Sequence, residues 1–298
     1  MSAERRNPNS VDIDLYPTER ILKIINSEDA SVAAAVATAI PEIAKAVDLA
    51  VTAIQNGGRI IYVGAGTSGR IAFLDAAECP PTFSSPPDWI QAIIAGGAKA
   101  VTEAFEGAED DRALAEADLK DRSLTNVDLV IGIAASGKTP YTDAALEFAK
   151  KMKAGTVAVI SSPDSPMTKT ADVVICVPVG PEIITGSTRM KSGTSQKLVL
   201  NMISTATMIR LGMTYSNWMI NVSMTNKKLK ERGVQILREI LGVNTDEAQV
   251  LTEASGGKLK LAVIMGTLGC DRKEAEQRLA QGKGNLRKVL GHLGCGRE

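Results

Sequence analysis

The sequence is short of histidine, of aromatic residues and of net charge, and each shortage excludes a class of function. Its one histidine is His292, near the C-terminus. A Ser-His-Asp triad or a Cys-His pair is therefore excluded unless the tail folds back into a site, and acid–base chemistry falls to carboxylates, Lys or Tyr. Aromatic residues make up 3% of the chain, and 34 basic residues balance 34 acidic ones. Neither nucleic acid nor an anionic membrane is an expected partner, because base stacking and a positive field are both lacking.

Paired cysteines and long apolar runs are missing as well. The four cysteines are scattered and form no CxxC pair, which fits a reducing compartment and gives no metal-site spacing. Cys79 has no histidine partner, so we expect a buried or loop thiol there rather than a nucleophile. The N-terminus is polar, and no apolar run reaches the roughly 18 residues of a membrane-spanning helix. These features predict a soluble, cytoplasmic protein that uses no metal.

What the sequence contains is strands that alternate with helices. Short apolar runs bounded by glycine, proline or polar turns predict five strands, over 59–63, 91–95, 128–133, 156–160 and 173–177. Helical periodicity between them implies a parallel sheet covered on both faces. The predicted fold class is therefore α/β, a doubly wound five-stranded parallel sheet flanked by helices, with ligands at the carboxyl ends of the strands.

Helical segments flank this region on both sides. Apolar residues at helical spacing predict a helix from about Ser27, with Pro41 kinking it or starting a second one. Near the C-terminus, the pattern over 241–259 returns over 268–286, a period of about 27 residues, which predicts two similar helix pairs. We therefore expect three domains, namely an N-terminal arm and helices over 1–56, the sheet domain over 57–220 and a small helical domain over 221–298.

The first predicted strand leads into the glycine-rich sequence GAGTSG at 64–69. Glycines permit a tight turn, and the hydroxyls of Thr67 and Ser68 at the start of a helix favour the binding of an anion. The same letters match the G-x-G-x-x-G pattern of dinucleotide sites, but that pattern also requires an acidic residue after the second strand. Asp88 comes before that strand, so a dinucleotide is the less favoured interpretation.

A second hydroxyl-rich loop follows the third strand and contains Ser136 and Thr139. Adjacent strand ends would bring these hydroxyls close to those of the first loop, an arrangement that suits a phosphate monoester held without a metal. A third polar segment, after the fifth strand, opens a long helix over 188–212 and offers Ser187 and Lys191 as further sugar or phosphate ligands. The less specific interpretation is that such hydroxyls only cap helices.

The candidates for acid–base catalysis are Glu78 and the pair Glu106 and Glu109. Glu78 is predicted to end the helix that starts at Ser68, before an irregular proline-rich loop over 79–87. The negative end of the helix dipole faces it there, which suits a general acid. Glu109 is predicted in the first turn of a helix over 108–119, where the positive end of the dipole suits a carboxylate that acts as a base. An exposed acid at a helix start is the ordinary alternative for Glu109.

Five motifs of this chain resemble one enzyme family. Motifs of the N-acetylmuramic acid 6-phosphate etherases are matched in this chain by the segments GAGTSGR, DAAECPPT, EGAEDD, GIAASGKTPY and GPEIITGSTRMKSGTSQK. These etherases belong to the sugar isomerase (SIS) domain superfamily and are related to the glucokinase regulatory protein. The resemblance covers nearly the whole chain, and it implies a SIS-type sheet, a homodimer with its sites at the subunit interface, and no cofactor.

The resemblance also implies a reaction. The D-lactyl ether of N-acetylmuramic acid 6-phosphate is cleaved by elimination and water addition, giving N-acetylglucosamine 6-phosphate and D-lactate in cell-wall amino-sugar recycling. The two catalytic acids of the family motifs correspond to Glu78 and Glu109. Glu106, in the motif EGAEDD, is a candidate substrate contact. The motifs do not separate acid from base. The dipole argument makes Glu109 the base at C2 and Glu78 the acid at the lactyl oxygen.

Two other functions share this fold and stay open at the level of sequence. A non-catalytic sugar-phosphate sensor related to the glucokinase regulatory protein carries the same acidic motifs. That relative has two SIS domains, however, and this chain has room for one. A sugar-phosphate isomerase on the same fold lacks support from the long motif that follows the fifth strand.

Overall fold

A computed structural model describes the chain over residues 5–105, 107–222 and 227–291. Glu106 and His292 therefore lie outside the described residues. Contacts divide the chain into two units. The first unit contains the residues up to Ala77 together with Pro87–Thr207. The second unit contains Glu78–Pro86 together with the chain from Met208 onward.

The first unit is built on a five-stranded sheet. Its strands are β1 Ile60–Gly64, β2 Ile90–Ile94, β3 Leu129–Ile133, β4 Gly155–Ile160 and β5 Val173–Cys176. All are parallel, in the order β2-β1-β3-β4-β5. Every residue of β1 and β3 is buried, as expected for a parallel sheet covered on both faces. The predicted fold class and the predicted strands are confirmed, with small differences at the strand ends.

The strand order creates a switch point between β1 and β3. From β1 the chain moves outward to β2, then returns past β1 to reach β3 and continues to β5. With right-handed crossovers, the connections that leave β1 and β3 cover opposite faces of the sheet. A crevice therefore opens between these two strands at their carboxyl ends, where ligands of such folds bind.

Helices cover the sheet. Those that follow β1 in the chain are α3 Gly66–Phe83, α4 Lys99–Thr102, α5 Arg112–Asp121, α6 Pro140–Lys151, α7 Met167–Thr170 and α8 Lys191–Arg210. α5 and α6 pack together on one face, where Ile61 and Val63 of β1 join Leu119 and Leu146 in a buried core. This packing fixes the start of α6, and it therefore positions the predicted hydroxyl-rich loop between β3 and α6.

Two helices precede the sheet. They are α1 Thr18–Ala37 and α2 Ile40–Gln55. The prediction of a helix start at Ser27 is wrong, because Pro17 is the residue at the N-terminal boundary and Ser27 lies inside the helix. Pro41 starts the second helix, where its missing amide hydrogen is tolerated in the first turn. No single described helix is long and apolar enough to cross a membrane, although α1 and α2 taken together, bent by 62°, pass that test by length and composition.

The second unit is helical. Beyond residue 226 it contains α9 Lys227–Leu241, α10 Thr245–Ala254, α11 Leu259–Leu268, α12 Arg272–Gln281 and α13 Leu286–Leu290. The predicted repeat is confirmed as two helix pairs, α10 with α11 and α12 with α13. Asn244 and Asp271 begin the two pairs in the same way, since each side chain accepts a hydrogen bond from the amide three residues later.

Candidate functional site

The loop between β1 and α3 forms the first part of the site. Thr67 and Ser68 lie in the first turn of α3, and both are partly exposed. A Cβ on Gly69 would lie 2.5 Å from Ile94 Cγ1, so only glycine lets the helix approach β2 this closely. The first turn of α3 contains no acidic residue. Its amide groups and the two hydroxyls are therefore suited to an anion.

The loop between β3 and α6 lies beside the first loop. Gly64 at the end of β1 is in register with Ile133 at the end of β3, so both strands end at the same level and the two hydroxyl-rich loops are neighbours. Ser136 accepts a hydrogen bond from the Lys138 amide at 3.2 Å. Thr139 precedes α6 without using its side chain to cap the helix. The Thr139 hydroxyl is therefore left for a ligand.

Lys191 begins α8, in keeping with its predicted place at the start of the long helix, but its side chain is paired within the chain. Its ammonium donates to Glu28 of α1 at 2.6 Å, and the two side chains are only 3% and 14% exposed. Asn7 and Asn9 of the N-terminal arm donate to the same carboxylate. Burial acts to raise the pKa of Glu28, but the hydrogen bonds from Lys191 and the two asparagines outweigh it and hold that pKa below its ordinary value. The geometry gives no support to Lys191 as a substrate ligand, because a carboxylate of its own chain already pairs with it.

Glu182 occupies the head of α8. Its carboxylate is fully buried and accepts the amide N–H groups of Lys191 and Ser192, each at 2.9 Å. An internal carboxylate thus fills the place where a phosphate would bind this helix. Ser187 lies just before the helix and is partly exposed. Of the two ligands predicted in this segment, Ser187 is the more exposed, since Lys191 is buried.

Glu109 lies in a short 3-10 turn, Ala108–Asp110, rather than in the predicted continuous helix. The helix begins later because the Asp111 carboxylate accepts the amide N–H of the third residue of α5 and caps it. Arg112 then donates to Asp143 in the first turn of α6 at 3.3 Å. This contact brings the exposed Glu109 turn near the β3–α6 loop. Glu106, predicted as a substrate contact, lies outside the described residues.

Glu78 does not end its helix, contrary to the prediction. α3 continues through Pro80 and Pro81 to Phe83. Proline fits the helical φ angle, but these two prolines have no N–H group, so the carbonyls four residues earlier lose their partners within the helix. The irregular loop expected over 79–87 therefore begins only after Phe83. Glu78 is exposed and belongs to the second unit, whereas the other predicted ligands belong to the first.

A buried network beneath the site was not predicted. The Asp75 carboxylate, 4% exposed, accepts a hydrogen bond from the Tyr62 hydroxyl of β1 at 2.9 Å. From α8 it accepts the Asn201 amide at 2.6 Å and the Ser204 hydroxyl at 3.0 Å. Asp75 therefore ties α3 to the sheet and to α8. The signal in the sequence is a single aspartate inside the apolar run at 71–77.

The chain is similar to proteins of known family. Residues 42–150 match the glucokinase regulatory protein N-terminal SIS domain, and residues 114–206 match the SIS domain. An N-acetylmuramic acid 6-phosphate etherase from Pseudoalteromonas atlantica is 48% identical over 290 residues, which cover 97% of this chain and 94% of that protein. The same enzyme from Geobacillus thermodenitrificans is 47% identical over 290 residues, covering 97% and 98%. In fold, the chain resembles phosphoheptose isomerase from Neisseria gonorrhoeae, with a TM-score of 0.50 and 18% identity over 63% of this chain and 97% of that one.

Proposed function

The chain belongs to the family of N-acetylmuramic acid 6-phosphate etherases, and from this premise we propose that it cleaves the D-lactyl ether of N-acetylmuramic acid 6-phosphate. The products are N-acetylglucosamine 6-phosphate and D-lactate, and the reaction belongs to amino-sugar recycling. A non-catalytic sensor is not favoured, because the etherases match nearly the whole chain whereas the glucokinase regulatory protein domain matches residues 42–150. The scattered cysteines, without a CxxC pair, support a cytoplasmic location.

The juxtaposition of two hydroxyl-rich loops is the observation that carries this proposal. β1 and β3 end at the same level, and each leads into a loop at the start of a helix. Thr67 and Ser68 from one loop, with Ser136 and Thr139 from the other, bind the 6-phosphate of the sugar. Hydroxyl and amide donors at a helix start suit a phosphate monoester without a metal. Ser187 binds the sugar from the segment before α8.

Glu109 acts as the base. The C2 proton of the sugar is acidic only when the ring is open and C1 is an aldehyde, so the reaction starts from the open form. Glu109 removes this proton, and the electron pair moves onto the carbonyl oxygen as an enolate. Such a proton transfer contributes about 10²–10⁴ in rate. The exposed position of Glu109 near the β3–α6 loop supports this role.

Glu78 acts as the acid. As the enolate collapses, the bond between C3 and the lactyl oxygen breaks, and Glu78 gives its proton to that oxygen so that D-lactate leaves. Water then adds its hydroxyl group to C3 of the unsaturated aldehyde, and its proton passes to the Glu78 carboxylate, which restores the acid. The proton on Glu109, which has exchanged with solvent, is then delivered to C2, and the sugar is restored. The sum is one water consumed and one ether bond cleaved.

Incubation with N-acetylmuramic acid 6-phosphate in deuterium oxide tests the reaction. The wild-type protein should release D-lactate and place deuterium at C2 of the product. Glu109→Gln should stop both, whereas Glu78→Gln should slow lactate release by about 10²–10⁴ and still allow exchange at C2. Substrate that binds without any lactate release would instead identify a sensor.

We propose a homodimer with its sites at the subunit interface. Large apolar side chains of the first unit are more than half exposed, namely Leu15 76%, Leu22 58% and Ile184 54%. The Ser10 hydroxyl donates to the Ile183 carbonyl at 2.6 Å, so the arm that carries Leu15 lies against the loop that carries Ile184. Burying such a surface against a second copy is favourable. Analytical ultracentrifugation should show a monomer for Ile184→Glu. If that variant dimerises as tightly as the wild type, the dimer interface does not include this surface.

A further inference from the structure

The residues around Glu78 fold with the C-terminal helices rather than with the sheet. Glu78–Pro86 and the chain from Met208 onward form the second unit. The acid proposed above is therefore held by the helical unit, and contacts within that unit decide how firmly it is fixed. The inference that follows rests on the proposed function, since it concerns the acid of that reaction.

Ser84 ends α3 in a conformation that needs support. Its φ of 49° lies in the left-handed region, which is unfavourable for a residue with a Cβ and persists only where the surroundings fix it. Its amide donates to the Pro80 carbonyl at 2.8 Å, and its hydroxyl donates to the carbonyl of Asn221. The end of α3 is thus tied to the segment 212–222, which follows α8.

The segment 212–222 is held in turn by the residues around the start of α13. A Cβ on Gly212 would lie 2.6 Å from Asn285 Nδ2, so the backbone at Gly212 is in close contact with that side chain. The guanidinium of Arg287 lies over the ring of Tyr215, 4.3 Å from its centroid. These contacts make the segment part of the same packed body as the last helix.

Lys260 links the start of the segment 212–222 to the residues just before α13. Its ammonium donates to the Gly212 carbonyl at 3.0 Å and to the Gly284 carbonyl at 2.6 Å. Among the described residues it pairs with no carboxylate, and burial lowers the pKa of Lys260 to about 8. A cavity of about 780 Å³ lies beside it and is also lined by Ser84 and Asn221. A half-buried lysine whose N–H groups bind two backbone carbonyls holds those two carbonyls together.

We propose that Lys260 is a positioning residue for Glu78. It fixes the segment 212–222, whose Asn221 carbonyl holds Ser84 and with it the last turns of α3. Loss of its two hydrogen bonds loosens the helix end that presents the acid. The sheet, the two phosphate loops and the base are left as they are, because they belong to the other unit.

The test compares two steps of the reaction in Lys260→Met. Release of D-lactate should fall by about tenfold to a hundredfold, the range expected when a reacting group is slightly misplaced. Exchange of the C2 proton in deuterium oxide should continue at nearly the wild-type rate, and KM should change little. Lys260→Arg keeps a cation with several donors and should recover part of the rate. Lys258→Met removes an exposed lysine that lines the same cavity and should behave as the wild type.

The proposal is overturned if Lys260→Met slows C2 exchange and lactate release equally. It is also overturned if Lys258→Met slows lactate release while C2 exchange continues. If Lys260→Met does not fold, Ser84→Ala replaces it, because that variant removes the hydroxyl that holds the same helix end. A wild-type protein that releases no D-lactate overturns the proposed reaction instead. Amide hydrogen exchange over 78–86 then tests whether Lys260 holds the end of α3. Lys260→Met should raise the exchange rate of that segment and leave the rate of β3 unchanged. Unchanged protection of that segment overturns the proposed role of Lys260.

Discussion

The ammonium of Lys191 and the carboxylate of Glu28 form a buried ion pair 2.6 Å long between residues 163 positions apart in the chain. The pair joins the first helix to the helix that follows the sheet, and Asn7 of the N-terminal arm adds a third element by donating to Glu28 at 2.9 Å. The arm is therefore part of the folded first unit rather than a free tail. The side chain of Lys191, a predicted substrate ligand, pairs with a carboxylate of the first helix of its own chain.

Lys191→Met should destabilise the protein strongly and change KM little. The substitution leaves the largely buried Glu28 carboxylate, 14% exposed, without its cation. Breaking a fully buried pair costs about 3–5 kcal/mol in the free energy of unfolding, and because Asn7 and Asn9 still donate to Glu28, the loss should approach but not exceed that range. Urea unfolding measures this loss. Lys23→Met is the matched control, because the Lys23–Glu19 pair is 74% and 81% exposed and its loss should cost less than about 1 kcal/mol. Similar losses in the two variants would contradict the buried pair.

The stabilisation that involves Glu28 should depend on pH in one direction. Its pKa in the folded protein lies below the ordinary value of 4.5, so the unfolded chain takes up a proton first as the pH falls. The stabilisation is therefore complete above the ordinary pKa and is lost as the pH falls through the folded value. The difference in unfolding free energy between wild type and Glu28→Gln should stay constant near neutral pH and shrink in acid. A difference that grows on acidification would refute the assignment.

Thr139→Val should weaken substrate binding without weakening the fold. The hydroxyl does not cap α6, so its removal leaves the helix start unchanged. A hydrogen bond to a charged group is worth about 1.5–3 kcal/mol, so KM should rise by roughly tenfold or more while the unfolding free energy stays the same. Thr38→Val, on the α1–α2 turn, is the control for the change of side chain. Steady-state kinetics that show an unchanged KM in Thr139→Val would remove this residue from the site.

Gly137→Ala should distort the β3–α6 loop. Gly137 has φ +63°, and an added Cβ would lie 2.3 Å from Ser165 Oγ. Gly57→Ala is a matched control, because Gly57 has φ +81° and nothing within 4 Å of the added Cβ. Both variants should lose about 1–2 kcal/mol for the left-handed backbone, and only Gly137→Ala should lose more and raise KM. Ser165→Gly in the same chain should restore part of this loss, and equal effects in the two single variants would contradict the close contact.

Local patterns predicted the sheet and the two hydroxyl-rich loops. Strands buried on both faces are apolar throughout, and glycines with hydroxyl residues mark the turns after them, so each is visible in a few neighbouring residues. The passage of α3 through Pro80 and Pro81 was not visible in this way. Two adjacent prolines normally end a helix. Here the carbonyl of Asn221, which is far along the chain, supports the helix end through Ser84.

The candidate site was predictable in part for the same reason. Thr67, Ser68, Ser136 and Thr139 follow directly from strand ends, and the register of β1 with β3 makes them neighbours. The role of Lys191 was not predictable from the sequence, because a basic residue at a helix start suits a ligand anion and an internal carboxylate equally well. Only the three-dimensional contact with Glu28 decides between the two.

The buried carboxylate of Glu182 has a consequence for the choice of substrate. It lies at the head of α8 as a tethered anion, and the head of α3 has no acidic residue in its first turn. A second phosphate near α8 would meet a fixed negative charge in a region of low dielectric, where like charges repel strongly. We therefore expect the site to distinguish sugars by the number of phosphate groups they carry. A sugar bisphosphate should compete poorly with a monophosphate of the same sugar.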